Sequence, residues 1–200
     1  MPFIHQGKVK NTYWGIWEIT ESETQLTDQL SFHTTEEFSH IKSELQRKQS
    51  ISGKLAIQTL TENIGMEYNG ILKAETGKPF LKDTNARISI SHSKHYVAAC
   101  LNTERDTGID IELISPRIQR LYSKYMHDEE LSHCDMTDTA LTFYWCAKEA
   151  LYKMYGEREL IFKDDIRVTE SKGLVEKNGR KITADLEVYK HHDFMVVLSY

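Results

Sequence analysis

The pattern of apolar and polar residues divides the first part of the chain into one predicted strand and two helical segments. Residues 12–20 are rich in aromatic and β-branched side chains, which favour a strand. A short acidic helix is predicted over residues 21–30. Helix-forming residues dominate 35–63, where we expect a break near residues 50–53 and an apolar stripe after it.

Two further strands are predicted on either side of a polar turn. Residues 65–85 form the loosest region, and the motif Gly77-Lys78-Pro79 within it predicts a positively charged turn. Residues 87–91 alternate as a strand does, and residues 96–101 are apolar throughout, as in a central strand. Between them, Ser91-His92-Ser93-Lys94-His95 predicts a polar turn, which is either an ordinary turn or one that donates hydrogen bonds to an anion.

The second half of the chain combines one long amphipathic helix with several strands. Residues 107–112 predict a short strand. A helix is predicted over residues 139–155, capped by Thr137 or Asp138 and ended by Gly156. Further strands are predicted at residues 166–168, 181–188 and 194–199.

An internal similarity relates the two halves of the chain. Residues 93–101 and residues 189–198 each place a Lys-His turn next to an apolar strand. We therefore expect an α+β fold made of two similar α/β halves related by a pseudo-twofold axis. The N-terminal half would be residues 1–103 and the C-terminal half residues 104–200, together one compact unit.

Composition and charge exclude several classes of protein. The chain has 200 residues and a net charge of −5, so a general polyanion binder is excluded and any affinity for phosphates must be local. Its three cysteines include no Cys-x-x-Cys pair, which argues against a disulfide framework or a zinc site. The sequence shows no apolar run of membrane-spanning length and no signal-peptide core, which predicts a cytoplasmic protein.

Two carboxylates on the strand at residues 107–112 are the first candidates for chemistry. Alternate side chains on a strand face the same way, so Asp110 and Glu112 share one face and Ile109 and Ile111 share the other. Adjacent carboxylates repel unless a positive group lies between them, and a hard divalent cation with oxygen ligands meets that need. The alternative is an edge strand with a solvated acidic face.

The long helix carries a second candidate group. Trp145, Glu149 and Lys153 stand four residues apart and form one row beside the apolar stripe. The alternative for the last two residues is an ordinary helical Glu–Lys pair, which stabilises a helix by only about 0.2–0.5 kcal/mol.

Together these motifs resemble the 4′-phosphopantetheinyl transferase superfamily, in its surfactin-synthetase-activating type. The motifs are Gly77-Lys78-Pro79, Ser91-His92-Ser93, Gly108-Ile109-Asp110-Ile111-Glu112, and Trp145 to Lys153 with Lys148-Glu149 between them. Each motif alone is common, whereas four in this order with family-like spacing are specific. The resemblance covers residues 47–200, and its basic N-terminal residues match least clearly.

The resemblance implies an activity, a cofactor and partners. Members of the family transfer the 4′-phosphopantetheine arm of coenzyme A to a serine of an apo acyl carrier or peptidyl carrier protein, and they release adenosine 3′,5′-bisphosphate. The reaction depends on Mg²⁺. Members of the surfactin type are pseudo-twofold monomers that bind coenzyme A between their halves, with neither nucleic acid nor a membrane as partner.

The resemblance also implies roles for individual residues. Asp110, Glu112 and Glu149 would hold the metal, and Glu149 would take the serine proton directly or through a metal-bound water. Lys153 would reach the pyrophosphate or keep Glu149 ionised, and so is both a catalytic and a coenzyme-binding candidate. Glu130 would support the metal-side network or would simply begin a helix.

Coenzyme A contacts are expected in the N-terminal half. The candidates are Arg47, Lys78, Pro79, Ser91 and His92, and His92 is expected to contact the 3′-phosphate. In the C-terminal half, Lys148 is expected to serve solubility or carrier-protein contact.

Two other readings compete with phosphopantetheinyl transfer. One is a catalytically silent module that binds coenzyme A or a carrier protein, which would keep the phosphate contacts and lose a carboxylate. The other is a Mg²⁺-dependent phosphoesterase or nuclease, which would need a basic surface or more metal ligands for nucleic acid. Arg117, Arg120 and Lys124, placed at helical spacing, form a basic face that either docks an acidic carrier or is merely solvated.

Overall fold

A computed structural model describes residues 3–31 and 38–200. The chain forms two compact units, Met1–Arg105 and Asp106–Tyr200. The predicted division after residue 103 lies two residues before the observed one. The mixed α+β class predicted from the sequence is confirmed, with one antiparallel sheet in each unit.

The first unit contains a six-stranded antiparallel sheet and two described helices. The strand order is β1-β2-β6-β5-β4-β3. The strands are β1 (Phe3–Val9), β2 (Thr12–Glu18), β3 (Ile71–Lys73), β4 (Pro79–Leu81), β5 (Arg87–Ser93) and β6 (Tyr96–Asn102). The helices are α1 (Glu23–Thr27) and α2 (Glu44–Asn63), and α2 packs on β2, β5 and β6.

The second unit contains a five-stranded antiparallel sheet and one long helix. The strand order is β7-β11-β10-β9-β8. The strands are β7 (Gly108–Leu113), β8 (Ile166–Val168), β9 (Lys172–Lys177), β10 (Arg180–His191) and β11 (Phe194–Ser199). The helical elements are a 3-10 helix (Pro116–Arg120), α3 (Tyr122–Tyr125), α4 (Asp128–His133), α5 (Asp138–Tyr155) and α6 (Phe162–Asp165).

The two sheets share one connectivity. In chain order, each unit runs from one strand through a long helix to four more strands, and those five strands have the same spatial order in both sheets. The first unit differs in having β1 as an extra edge strand. The twofold axis that the sequence suggested stays a prediction.

The hairpins that carried the internal similarity correspond in this connectivity. The first joins β5 to β6 and the second joins β10 to β11, each through a two-residue loop. The first loop residue has a positive φ in both, 47° at Lys94 and 36° at His192. Tight two-residue hairpin loops use positive φ because its twist matches that of the flanking strands.

Helix α2 runs without interruption, so the break predicted near residues 50–53 is wrong. A glycine inside a helix costs about 1 kcal/mol relative to alanine. Here a Cβ at Gly53 would lie 2.9 Å from Cγ2 of Ile90, so the glycine lets the helix lie close against β5. Of the predicted helical stretch before residue 44, residues 35–37 lie outside the described residues, and the rest is not helical.

Helix α5 begins and ends as its sequence predicts. The Thr137 side chain accepts from the Ala140 amide at 3.2 Å, and Gly156 ends the helix with a φ of 76°. A Cβ at Gly108 would overlap the Ala150 carbonyl oxygen, so only glycine allows β7 to lie this close to α5. This approach places the carboxylates of β7 against the helix.

Other predictions from the pattern need correction. Strands β1, β3, β4 and β9 were not predicted; β3 and β4 lie in the region expected to be the loosest. Ser91, His92 and Ser93 belong to β5 rather than to the turn, which consists of Lys94 and His95 alone. No helix in the described part of the chain is both long enough and apolar enough to cross a membrane.

Candidate active site

Strand β7 carries the two candidate carboxylates as predicted. Ile109 and Ile111 are fully buried. The Asp110 side chain is also buried, with 3% of the residue exposed, and Glu112 is partly exposed. The alternative of a solvated acidic face is therefore wrong for Asp110, although β7 does lie at the edge of its sheet.

Lys153 on α5 bonds to β7 rather than to Glu149. Its Nζ lies 2.7 Å from Oδ1 of Asp110 and donates to the Ile109 carbonyl at 3.2 Å. The alternative of an ordinary helical ion pair between Glu149 and Lys153 is therefore wrong, because the partner of Lys153 is Asp110. It supplies the positive charge that a buried carboxylate requires.

Glu149 lies one helical turn before Lys153, is partly buried, and has a raised pKa. The pKa of Glu149 is raised to about 7, chiefly by burial and next by the charge of Asp110, while the charge of Lys153 partly opposes the rise. Glu112 adds a smaller repulsion. The three carboxylates therefore interact electrostatically, as a group facing one another would.

Two more side chains of α5 lie near the carboxylates of β7. The Trp145 indole Nε1 donates to Oε1 of Glu112 at 3.4 Å. Burial raises the pKa of the Cys146 thiol well above its usual value, and the charges of Asp110 and Glu112 raise it further. The thiol is therefore neutral at physiological pH, and it donates to the Met195 carbonyl at 3.7 Å.

Lys148 is fully buried, so the prediction that it serves solubility or carrier contact is wrong. Its Nζ lies 2.7 Å from Oε2 of Glu130 and donates to the carbonyls of Phe162 and Ile166 at 2.9 and 2.8 Å. Burial lowers the pKa of Lys148 to about 8, against the opposing pull of Glu130. The helix periodicity gave no sign of this, because Lys148 follows the buried stripe residue Ala147 directly.

Glu130 accepts hydrogen bonds from two backbone amides in addition to its ion pair with Lys148. Its Oε2 accepts from the His127 amide at 2.7 Å and completes a capping box at the start of α4. Its Oε1 accepts from the Val168 amide at 2.8 Å. Of the two roles considered for Glu130, these contacts favour the helix-start carboxylate.

The donor set has the chemistry that magnesium prefers but not a preformed three-ligand cage. Among residues 3–31 and 38–200, no three His, Cys, Asp or Glu side chains are placed to hold a metal ion together. The Lys153 ammonium lies 2.7 Å from Oδ1 of Asp110, one of the candidate ligands. Magnesium usually takes only one or two carboxylates and fills its other positions with phosphate oxygens and water. The carboxylate oxygens are therefore the type of ligand that magnesium binds.

The candidates for phosphate contact lie on two hairpins of the first unit. Lys78 closes the turn between β3 and β4, where the Ala74 amide donates to its carbonyl at 3.0 Å, and Pro79 begins β4. On β5, Ser91 is buried and His92 is exposed to solvent. The turn predicted at the Gly-Lys-Pro motif is confirmed.

Arg47 is held by groups of its own unit. Its Nε lies 2.9 Å from both carboxylate oxygens of Glu23, and its Nη1 donates to the Ile41 and Lys42 carbonyls at 2.9 and 3.1 Å. It lines an open pocket of about 370 Å³ with Glu23 and Phe38. These contacts fix the start of α2, so binding an anion would require Arg47 to exchange Glu23 for it.

The basic segment after β7 is not one helix. Arg117 and Arg120 lie in the 3-10 helix, whereas Lys124 lies in α3 beyond Leu121. The three side chains are exposed. Residues three apart eclipse one another in a 3-10 helix, so Arg117 and Arg120 do share a face.

Comparison with known proteins points to the same family as the motifs. Residues 106–194 match the family model of the 4′-phosphopantetheinyl transferase superfamily. A Haemophilus influenzae protein named "Putative 4'-phosphopantetheinyl transferase" is 31% identical over 96 residues, which is 43% of this chain and 40% of that protein. The chain thus spans about 40% of the length of this curated relative.

The matched segment contains the whole carboxylate group and leaves out the N-terminal motifs. It includes Asp110, Glu112, Glu149 and Lys153, whereas the Gly-Lys-Pro and Ser-His-Ser motifs precede it. The family model and the relative together support a likeness of this chain to the 4′-phosphopantetheinyl transferase superfamily.

Proposed function

We propose that this chain is a Mg²⁺-dependent 4′-phosphopantetheinyl transferase of the surfactin-synthetase-activating type. It would move the phosphopantetheine arm of coenzyme A to a serine of an apo acyl or peptidyl carrier protein. The observation that carries the proposal is the group of Asp110, Glu112 and Glu149 with Lys153, placed within the segment that matches the family model.

The residues of this group divide the chemistry between them. The serine oxygen forms a bond to phosphorus while the phosphorus–oxygen bond to adenosine 3′,5′-bisphosphate breaks, and Glu149 accepts the serine proton. A general base works best when its pKa lies near the working pH, and that of Glu149 is about 7. Lys153 holds Asp110 in place and keeps a positive charge beside the carboxylates.

Magnesium would bind to carboxylates of this group. Asp110, Glu112 and Glu149 are the candidate ligands, and the ion, when bound, would neutralise charge on the pyrophosphate. Phosphoryl transfer depends mainly on positioning and charge neutralisation. We place the chain in the cytoplasm and expect it to act as a monomer.

A mass measurement separates this proposal from its two rivals. The protein is incubated with coenzyme A, magnesium and a panel of apo carrier proteins, and the intact mass of each carrier is read. We expect one phosphopantetheine to be added to at least one carrier. Coenzyme A binding without added mass would identify a silent module, and phosphate-ester hydrolysis without an acceptor would identify a phosphoesterase.

The exposed His92 is predicted to bind the 3′-phosphate of coenzyme A. Replacing His92 with Ala should raise KM for coenzyme A by about ten- to a hundredfold, the worth of one hydrogen bond to a charged group. KM for 3′-dephospho-coenzyme A should change little. Steady-state kinetics with both substrates checks this, and an equal rise for both would place His92 away from that phosphate.

The exposed arginine pair on the 3-10 helix is predicted to dock the carrier. Reversing the charge of Arg117 and Arg120 should slow transfer to a carrier protein by about tenfold or more at low salt, and the loss should shrink as salt screens it. Transfer to a short serine peptide should be nearly unchanged. The matched control reverses Lys181 and Lys190 on β10, and equal losses in both variants would reject the docking face.

A further inference from the structure

A buried glutamine of α2 holds the hairpin that carries His92. Gln49 is only 6% exposed, and its Nε2 donates to the Lys94 carbonyl at 2.7 Å. Lys94 is the first of the two residues that connect β5 to β6. The helix thus bonds directly to the tip of the hairpin through one side chain.

The conformation of this tip needs support. Lys94 has a φ of 47°, a region in which a residue other than glycine is strained. The next residue, His95, accepts at its carbonyl from the Ile19 amide at 2.7 Å. The tip is therefore fixed on two sides, by α2 through Gln49 and by the chain just after β2 through Ile19.

The helix itself is seated closely on the same strand. Gly53 lies one turn after Gln49, and a Cβ there would lie 2.9 Å from the Ile90 side chain of β5. The helix therefore has a fixed distance to β5, and Gln49 reaches the hairpin tip from that fixed position. His92 stands between the two contact points, two residues after Ile90 and two before Lys94.

We infer that Gln49 is a positioning residue for His92. Gln49 holds the tip of the β5–β6 hairpin against α2 and thereby sets the orientation of His92. This inference rests on the proposed function, since it assigns Gln49 to the recognition of coenzyme A. Gln49 does not itself contact the coenzyme in this role. Its contribution is to fix where the exposed His92 side chain leaves the sheet.

A conservative variant tests the role. Replacing Gln49 with Met keeps a side chain of similar length and removes the donor. KM for coenzyme A should rise measurably but by no more than about tenfold, because at most the free energy of one neutral hydrogen bond holds the hairpin tip in place. The value of kcat and the KM for 3′-dephospho-coenzyme A should change little, because the catalytic carboxylates and the other contacts stay in place.

A second glutamine of the same helix gives a matched control. Gln58 is 8% exposed, accepts from the Ser31 amide at 3.0 Å and donates to the Gln29 carbonyl at 3.4 Å. Replacing Gln58 with Met removes comparable hydrogen bonds, but these join α2 to residues 29 and 31 and not to the β5–β6 hairpin. If the variants only loosened the fold, both would change the two KM values alike. The inference instead expects that only Gln49→Met raises KM for coenzyme A relative to KM for its 3′-dephospho form.

Two readings independent of turnover complete the test. In Gln49→Met, the affinity for coenzyme A measured by calorimetry should fall. Amide hydrogen exchange over residues 91–97 should become faster. Unchanged exchange at the hairpin, or an unchanged preference between coenzyme A and its 3′-dephospho form, would overturn the inference. Should Gln49→Met fold poorly, Gln49→Leu removes the donor with another uncharged, helix-forming side chain and must give the same result. If the unaltered protein fails to bind coenzyme A, the proposed function fails and the inference with it.

Discussion

Replacing Glu149 with Gln should lower kcat for phosphopantetheinyl transfer by about 10²–10⁴-fold, the usual contribution of a general base. The amide keeps the shape of the side chain but neither accepts a proton at physiological pH nor neutralises a cation. Stability should be unchanged or slightly increased, because the variant removes one of three mutually repelling carboxylates. Intact-mass kinetics and urea unfolding measure the two quantities.

The choice of Glu149 over Asp110 follows from the ion pair with Lys153. Removing the Asp110 carboxylate would leave the Lys153 ammonium without its 2.7 Å partner, so activity and folding would change together. Glu187, exposed on β10, gives the matched control because the same Glu→Gln change is made outside the site. Full activity of Glu149→Gln at ordinary magnesium would remove both roles assigned to Glu149.

The sequence predicted best those elements whose signals are local. Helix α5 carries its own N-cap at Thr137, its own C-terminal glycine at Gly156 and a regular apolar stripe between them. The strand with Asp110 and Glu112 shows the two-residue alternation directly. These features depend on a few neighbouring residues and need no knowledge of the rest of the fold.

The elements that were missed depend on contacts between distant segments. Strand β1 is half buried and forms the edge of its sheet through β2 alone, so its own sequence carries a weak pattern. A break was expected near residues 50–53, whereas Gly53 lies inside an unbroken helix and allows that helix to approach Ile90. At such positions, tertiary packing overrides the helix propensity of the residue.

The candidate site shows the same limit. Spacing along β7 placed Asp110 and Glu112 on one face of the strand, and the family resemblance added Glu149 of α5 as a candidate beside them. Neither predicted that Lys153 bonds to Asp110 rather than Glu149, or that Arg47 bonds to Glu23. Ion-pair partners are chosen by tertiary contact, and a charged residue next to a buried stripe gives no local sign of its partner.

The buried ion pair of Lys148 and Glu130 leads to the second large expected effect. Replacing Lys148 with Met should reduce the free energy of unfolding by about 3–5 kcal/mol, because it leaves the Glu130 carboxylate buried and uncompensated. It also removes the donor to the Phe162 and Ile166 carbonyls, which hold α6 and β8 against α5.

An exposed lysine gives the matched control for this prediction. Lys163 of α6 pairs with Asp128 of α4 at 3.0 Å, and both side chains are substantially exposed. Because exposed ion pairs contribute about 0–1 kcal/mol, Lys163→Met should have a small effect in the same urea unfolding experiment. Replacing Glu130 with Gln in the Lys148→Met protein should recover part of the loss, since it removes the uncompensated charge. If Lys148→Met unfolds no more readily than Lys163→Met, the pair does not hold α4, α5 and α6 together.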